Sequence, residues 1–173
     1  MQREKIILKI NENHQSFIEY VSNLSKDEFE FSKDDKWSAG QQLAHIVLCI
    51  KATLNVYKMD KSIIGQNFGK TDRQNRTYEE LQSDYQLKAI EGVKAPARFI
   101  PETITIDQAQ NLVEKLTFLV EEFGQQIEKF SEQELNTLLI QHPSLGSVTL
   151  REMLYNVAYH VEHHHLKAIA NLS

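Results

Sequence analysis

The chain has 173 residues, of which 41% are hydrophobic and 25% are charged, and its formal net charge is −5. A chain of this length and composition is typical of one soluble domain with a sizeable core, so we expect a single domain over residues 1–173. The negative charge, which is spread without any block of like charges, argues against binding to nucleic acid.

Six capping boxes mark the predicted helix starts along the chain. In a capping box, a Ser or Thr side chain and a Glu or Gln three residues later satisfy each other's backbone N–H groups. In chain order the pairs are Ser25/Glu28, Ser38/Gln41, Thr77/Glu80, Thr105/Gln108, Ser131/Glu134 and Thr149/Glu152. Because several of them coincide with apolar residues at helical spacing, and because the chain has only 6 Gly and 3 Pro, the sequence predicts a helical protein.

Apolar periodicity predicts four long helices, at about 2–24, 38–60, 106–130 and 149–171. Shorter helices are predicted at about 26–31, 78–90 and 131–138. The section 61–105 holds two of the three prolines and is predicted to be a long crossover that contains one short helix. Four long helices, with this crossover between the second and the third, predict an all-α four-helix bundle.

The sequence contains no recognisable targeting or membrane-spanning segment. The stretch MQREKIILKINENHQ has only a short apolar patch among charges, and no apolar run approaches the roughly 20 residues that span a bilayer. We therefore expect a cytoplasmic protein without a membrane partner. The single cysteine, Cys49, excludes an internal disulfide and a zinc site built from several cysteines. A metal site in this chain must therefore use histidine and carboxylate ligands.

The stretch YHVEHHHLKAI places four histidines within six residues of the last predicted helix. Residues four apart lie on the same face of an α-helix, so His160 and His164 share one face. That face also carries Val157 and Val161, and we expect it to point into the bundle. Two histidines four apart are half of a metal site, because both Nε2 atoms can reach one ion. The alternative is that the two rings bond to buried backbone or tyrosine groups.

Helix geometry and local sequence place the remaining histidines outside this pair. His163 falls on the same face as Glu152 and is expected to be solvated, whereas His165 lies at the edge of the apolar stripe and is expected to be half-buried. His14 lies on a polar stretch of the first helix and is expected at the surface. His142 precedes a proline in a loop, where we expect a structural role in a turn.

His45 is the candidate for a third ligand. It lies on a stripe with Cys49 and Val56, and a second apolar stripe follows the opposite side of the same predicted helix. A helix that is apolar on two sides is largely buried, so His45 is expected to be inside. A buried histidine needs polar partners, and either a metal or a hydrogen bond in the core supplies them. Cys49, one turn later, is expected either to pack as a small core residue or to line a pocket as a soft ligand.

Two motifs together resemble the DinB/YfiT-like superfamily of metal-binding four-helix bundles. One is WSAGQQLAH, in which His45 follows Trp37 by eight residues at a predicted helix start. The other is HPSLGSVTLREMLYNVAYHVEHHHLKAI, in which a turn that begins at His142 leads into a helix ending in His160 and His164. The order and spacing of the predicted elements resemble the family across nearly the whole chain.

The resemblance implies that His45, His160 and His164 hold a divalent ion, most often zinc or nickel, with open positions for water or a small-molecule substrate. It also implies one of three functions. The first is a transferase that uses a low-molecular-weight thiol, such as bacillithiol or mycothiol, and an electrophilic small molecule. The second is a hydrolase that uses a water activated by the metal, and the third is a non-catalytic, stress-related metal-binding scaffold. Resemblance alone also favours a homodimer.

Some positions depart from the family's pattern, and they concern contacts with substrate. Leu48 stands where many relatives carry an acidic residue, Gln41 where Glu is common, and His163 where Arg is frequent.

Arg98, in the predicted crossover, is placed to reach over the pocket and bind an anionic thiol or a carboxylate. Trp37 is expected to pack at the helix start rather than to stack on a substrate.

Overall fold

The computed structural model describes residues 1–34 and 36–173. Most of the described chain is helical, and the helices end close to the predicted boundaries. In chain order they are α1 (Arg3–Ser22), α2 (Lys26–Glu30), α3 (Ala39–Tyr57), α4 (Lys61–Phe68), α5 (Tyr78–Ile90), α6 (Ala109–Ile127), α7 (Glu132–Thr137) and α8 (Leu150–Leu172). Short 3-10 turns occupy Ala97–Phe99 and Ile106–Gln108.

The four long helices form a bundle around one apolar core. α1 and α3 each pack against both α6 and α8, which places α1 and α3 diagonally across the bundle. The core includes the fully buried side chains of Phe17, Tyr57 and Phe123, and the last two rings meet edge to face with centroids 4.9 Å apart. The predicted all-α four-helix bundle is therefore confirmed.

All six predicted capping boxes are present. At the start of α8, for example, the Thr149 hydroxyl oxygen accepts a hydrogen bond from the backbone N–H of Glu152 at 3.1 Å, and the Glu152 carboxylate accepts one from the backbone N–H of Thr149 at 2.9 Å. The same reciprocal pairing starts α2, α3, α5 and α7 and the 3-10 turn before α6. The capping box involves only four consecutive residues, which is why the sequence alone located these helix starts.

The crossover between α3 and α6 contains two helices, whereas one short helix was predicted. The helix that the prediction missed is α4, which Asp60 caps by accepting a hydrogen bond from the backbone N–H of Ser62. A second missed feature is an antiparallel hairpin of β1 (Leu139–His142) and β2 (Gly146–Thr149). The helix is only one or two turns long, and each strand of the hairpin has only four residues. Elements this short are stabilised mainly by packing on the bundle, so local sequence preference predicts them poorly.

Glu152 fastens the crossover to the first turn of α8. Its side chain is fully buried and accepts two hydrogen bonds of 2.6 Å from the Arg73 guanidinium, and Arg76 adds its backbone N–H at 2.8 Å. Burial alone raises the pKa of this carboxyl, but the hydrogen bonds from Arg73 and Arg76 hold it at about 2. The expectation that the Glu152 face of α8 is solvated was wrong, because α5 packs over that face. None of the helices in the described ranges has the length and apolar character that crossing a bilayer requires.

Candidate metal centre

Three histidines converge between α3 and α8. Nε2 of His160 lies 3.4 Å from Nε2 of His45 and 3.1 Å from Nε2 of His164. One ring nitrogen from each residue lies within 4.8 Å of the other two. Ligands about 2.05 Å from a tetrahedral zinc ion stand about 3.3 Å apart, so the observed spacing fits three ligands of one ion. The structure thus brings together the three residues proposed from the sequence.

Hydrogen bonds at Nδ1 orient two of the three rings. Nδ1 of His45 donates to the backbone carbonyl of Phe99 at 2.7 Å, and Nδ1 of His164 donates to the side-chain oxygen of buried Gln42. Because Nδ1 carries the hydrogen, Nε2 in each ring keeps its lone pair and directs it to the shared point. Outer partners of this kind hold the tautomer and the orientation that metal-binding histidines need. The donor set is all imidazole, which suits zinc, nickel, copper and iron.

The local environment keeps these rings uncharged. Burial lowers the pKa of His160 and His164 well below the usual histidine value, and the neighbouring rings add to this effect. Burial also lowers the pKa of His45, and the ammonium of Lys167 adds to that effect. A metal binds the neutral imidazole, so a site that disfavours protonation of its ligands is suited to binding an ion at neutral pH.

The three histidines line a cavity of about 1020 Å³. Pockets that enclose small molecules are typically about 300–1,000 Å³, so the cavity has room for a substrate beside an ion. Trp37 lines it as well, with its ring centroid 4.9 Å from that of His45 and 6.2 Å from that of His164. Trp37 therefore packs at the start of α3, as expected, and the rings it packs on are those of the candidate ligands.

Cys49 also lies in the cavity wall. Its Sγ atom is 3.5 Å from Nε2 of His45, but it does not belong to the group of three residues whose ligand atoms all converge. Burial raises the pKa of the Cys49 thiol to about 12, so the thiol is protonated at neutral pH. These observations agree with a small packing residue that lines the pocket.

His14 is buried, and the expectation that it lies at the surface was wrong. It is 2% exposed, lines the same cavity, and donates from Nδ1 to the backbone carbonyl of Ile10 at 2.8 Å. Burial lowers its pKa to about 4. Apolar periodicity in the sequence does indicate this burial. Spacings of three or four residues place His14 on one helix face with Ile6, Ile10, Phe17 and Val21.

His163 is half-buried and also lines the cavity, whereas the sequence predicted that it is solvated. Burial lowers its pKa to about 4, and the ammonium of Lys167 adds to the shift. Its ring lies edge-on to Tyr85 of α5, with centroids 5.4 Å apart. The prediction failed because it assumed that one face of α8 is exposed to solvent, whereas α5 packs over that face. His165 is half-buried, as expected, and its ring centroid lies 4.9 Å from that of Tyr20.

His142 has the structural role in a turn that was expected. Its Nδ1 accepts hydrogen bonds of 3.1 Å from the backbone N–H groups of Ser144 and Leu145, which closes the β1–β2 turn. Since Nδ1 accepts, the hydrogen of the neutral ring is on Nε2, 3.2 Å from the side-chain amide of buried Asn156. The side chains of His142 and Asn156 thus bring the β1–β2 turn into contact with α8.

Tyr85 is a cavity residue that the sequence did not indicate. Its ring is edge-on to His160, with centroids 5.7 Å apart, and burial raises the pKa of its phenol well above the usual value. The hydroxyl therefore remains a hydrogen-bond donor at neutral pH. No local pattern marks Tyr85, because its position depends on how the crossover packs on α8.

Arg98 lies in the crossover at the cavity wall, as proposed from the sequence. Its guanidinium stacks over the ring of Phe99 at 4.9 Å and is exposed. Because the Phe99 carbonyl accepts the Nδ1 hydrogen of His45, Arg98 is one residue from a group that orients the candidate site.

The fold and the site together define a class of protein, a helical bundle with a candidate metal site between its helices. In this chain three histidines on facing helices converge, and the site opens into a cavity. The family model of the DinB superfamily matches residues 9–168, a span that contains all three histidines. The chain belongs to the DinB superfamily, which confirms the resemblance seen in its motifs. Comparisons with curated proteins and with solved structures found no match.

Proposed function

We propose that the protein is a divalent-metal-dependent enzyme that joins a low-molecular-weight thiol to an electrophilic small molecule. The observation that carries the proposal is the convergence of three neutral imidazoles, from His45, His160 and His164, on the wall of a cavity large enough for a substrate. When bound there, a divalent ion supplies a Lewis acid that lowers the pKa of a coordinated thiol or water. We propose zinc or nickel, in keeping with the imidazole donors.

The chain's own residues prepare the cavity for this chemistry. The Phe99 carbonyl and the Gln42 side chain hold the rings of His45 and His164 in one orientation. The protonated phenol of Tyr85 can donate a hydrogen bond to a leaving group or to a developing negative charge on the electrophile. The cavity is lined mainly by apolar and aromatic groups, which can pack against the apolar part of a substrate.

The absence of a placed carboxylate supports thiol transfer over hydrolysis. No Asp or Glu among the described residues lines the cavity. Glu152 is engaged by Arg73 and Arg76 on the far side of α8. A hydrolase needs a general base beside its water, whereas a metal-bound thiol is already a nucleophile once its proton has left.

Hydrolysis remains the second candidate because of His14. Its Nδ1 hydrogen is engaged by Ile10, and its Nε2 has no hydrogen-bond partner among the described residues. The neutral ring lines the cavity and is thus a proton acceptor that a hydrolytic mechanism could use. The third candidate is a non-catalytic scaffold in which the ion only joins α3 to α8. For such a scaffold we expect metal binding without turnover of any substrate.

Metal binding is tested first, with untagged protein prepared in the presence of zinc, nickel, manganese and iron. We expect one ion per chain in the wild type and its loss in His45→Ala and in His164→Ala. The control is His165→Ala, which removes a histidine of the same helix that lies outside the cluster. Elemental analysis and competition with a chelator give occupancy and affinity. A wild-type protein that binds none of these metals would overturn the proposed site.

The reaction class is tested with the metal-loaded protein. We expect that glutathione, cysteine or mercaptoethanol displaces chloride from chlorodinitrobenzene, with loss of the thiol proton, faster than in buffer, and that His160→Ala abolishes the enhancement. The same preparation is tested for hydrolysis of p-nitrophenyl acetate without thiol. Hydrolysis that is lost in His14→Leu, with no thiol-dependent reaction, would favour the hydrolase. If neither substrate turns over while metal still raises the melting temperature, the scaffold is favoured.

A further inference from the structure

The charged side chains on the cavity wall all have the same sign. Among the described residues, the wall contains no carboxylate and five cationic side chains, those of Lys36, Lys88, Lys94, Arg98 and Lys167. The chain as a whole carries a net charge of −5, so the cavity does not simply reflect an excess of basic residues. A concave surface lined by one sign of charge concentrates ligands of the opposite sign.

Four of these cations have no ion-pair partner in the described ranges. Lys88 is paired with Glu91 at 2.7 Å, but no carboxylate there lies within ion-pair distance of the other four, which are Lys36, Lys94, Arg98 and Lys167. The charge of these four cations is therefore available to a ligand.

Two of the unpaired cations line the cavity from different elements. Lys167 follows His164 by three residues on α8, close to the candidate ligands. Arg98 comes from the crossover, next to the residue whose carbonyl orients His45. Cations at these positions oppose the approach of a divalent metal, so they do not assist metal binding. They are suited to a negatively charged molecule that lies between the crossover and α8.

We propose that the cavity binds a small anionic molecule, with a carboxylate or phosphate group held by Arg98 and Lys167 and the remainder directed toward the three histidines. The inference rests on the proposed function in taking this molecule to be the thiol or its electrophilic partner. The guanidinium supplies parallel N–H donors that match either acid group, and the ammonium supplies a second charge. Lys94 extends the same positive surface along the crossover.

The test compares two thiols of similar size on the metal-loaded protein, with cobalt as the spectroscopic metal. Mercaptopropionate carries a carboxylate, whereas mercaptopropanol is neutral, and thiolate-to-cobalt charge-transfer absorbance reports the binding of each. We expect tighter binding of mercaptopropionate, and weakening of about fivefold in Arg98→Gln and in Lys167→Gln, the effect of one contacting charge pair in water. Mercaptopropanol should bind equally to all variants. Lys115→Gln, at an exposed position of α6, is the matched control.

Thiol-free anions separate this inference from the proposed function. Succinate and inorganic phosphate are titrated by calorimetry against wild type, Arg98→Gln and Lys167→Gln, with succinamide as the neutral control. Arg98-dependent binding of either anion supports the inference even if no thiol reaches the metal, and the stronger of the two identifies the acid group. Equal affinity for mercaptopropionate and mercaptopropanol, unchanged in the variants, overturns the inference while leaving thiol binding intact.

Discussion

The position of single hydrogens decides whether the three rings can bind a metal. In His45 and His164, an acceptor at Nδ1 holds the hydrogen there and leaves Nε2 free. One acceptor is a backbone carbonyl and the other is the side chain of Gln42. Gln42 therefore influences metal binding indirectly, by orienting the ring of His164. It can be replaced without removing a candidate ligand.

Replacing Gln42 with Leu should weaken metal binding by about 10- to 100-fold, the range found when an outer hydrogen-bond partner of a ligand is lost. The isosteric change Gln42→Glu keeps an acceptor at the same place and should retain or raise the affinity. Both affinities are measured by competition with a chelator. If Gln42→Leu binds metal as tightly as the wild type, the hydrogen bond to His164 has no role in orienting the ring.

At the scale of elements, α8 is enclosed on nearly every side of its first half. α1 and α3 cover its bundle faces, while α5 covers the face that the sequence marked as polar. The buried carboxylate of Glu152 links α8 to the segment before α5 through Arg73 and Arg76. The ion pairs hold in place the crossover that contributes Tyr85 and Arg98 to the cavity.

The change Glu152→Gln should lower the free energy of unfolding by about 3 kcal/mol, because it removes the charge that partners two arginines and breaks hydrogen bonds at a fully buried position. Urea denaturation measures the change, and hydrogen exchange should show faster opening of the crossover than of α1. Glu79→Gln, an exposed change on α5, is the control. A variant of Glu152 as stable as this control would contradict the proposed anchoring role.

At the scale of the whole molecule, buried histidines should make the metal-free protein sensitive to acid. The folded state lowers the pKa of His14 from 6.5 to about 4. The unfolded chain therefore takes up the proton first as the pH falls, so the stabilising contribution is complete above 6.5 and is lost progressively toward 4. Glu152 extends the sensitivity further, because its lowered pKa contributes stability that is lost between about pH 4.5 and pH 2.

We expect the free energy of unfolding of the metal-free protein to fall between about pH 7.5 and pH 5, with His14 contributing about 2 kcal/mol of the decrease. The change His14→Leu should remove this part of the decrease, about 2 kcal/mol, even if it also changes the free energy of unfolding at about pH 7.5. Urea denaturation of both proteins at the two pH values gives the difference directly. An identical pH dependence in wild type and His14→Leu would show that His14 is not buried in its neutral form.

Most of the secondary structure could be predicted because its determinants are local. The six capping boxes each involve four consecutive residues, and apolar spacing identified the four long helices. The missed elements, α4 and the β1–β2 hairpin, are short and depend on packing against the rest of the chain. The polar face of α8 was misjudged for the same reason, since a covering helix cannot be seen in the periodicity of the helix it covers.

By itself, the sequence determined which residues of one helix share a face. Helical rotation places His160 beside His164, and the same rule, applied more strictly to α1, places His14 with Ile10 and Phe17. Tertiary structure alone decided which faces meet. It brought His45 within 3.4 Å of His160, a residue 115 positions later, and it laid Tyr85 and Arg98 over the same cavity. The physical reason is that rotation about a helix axis is set by local backbone geometry, whereas contacts between helices arise only when the whole core packs.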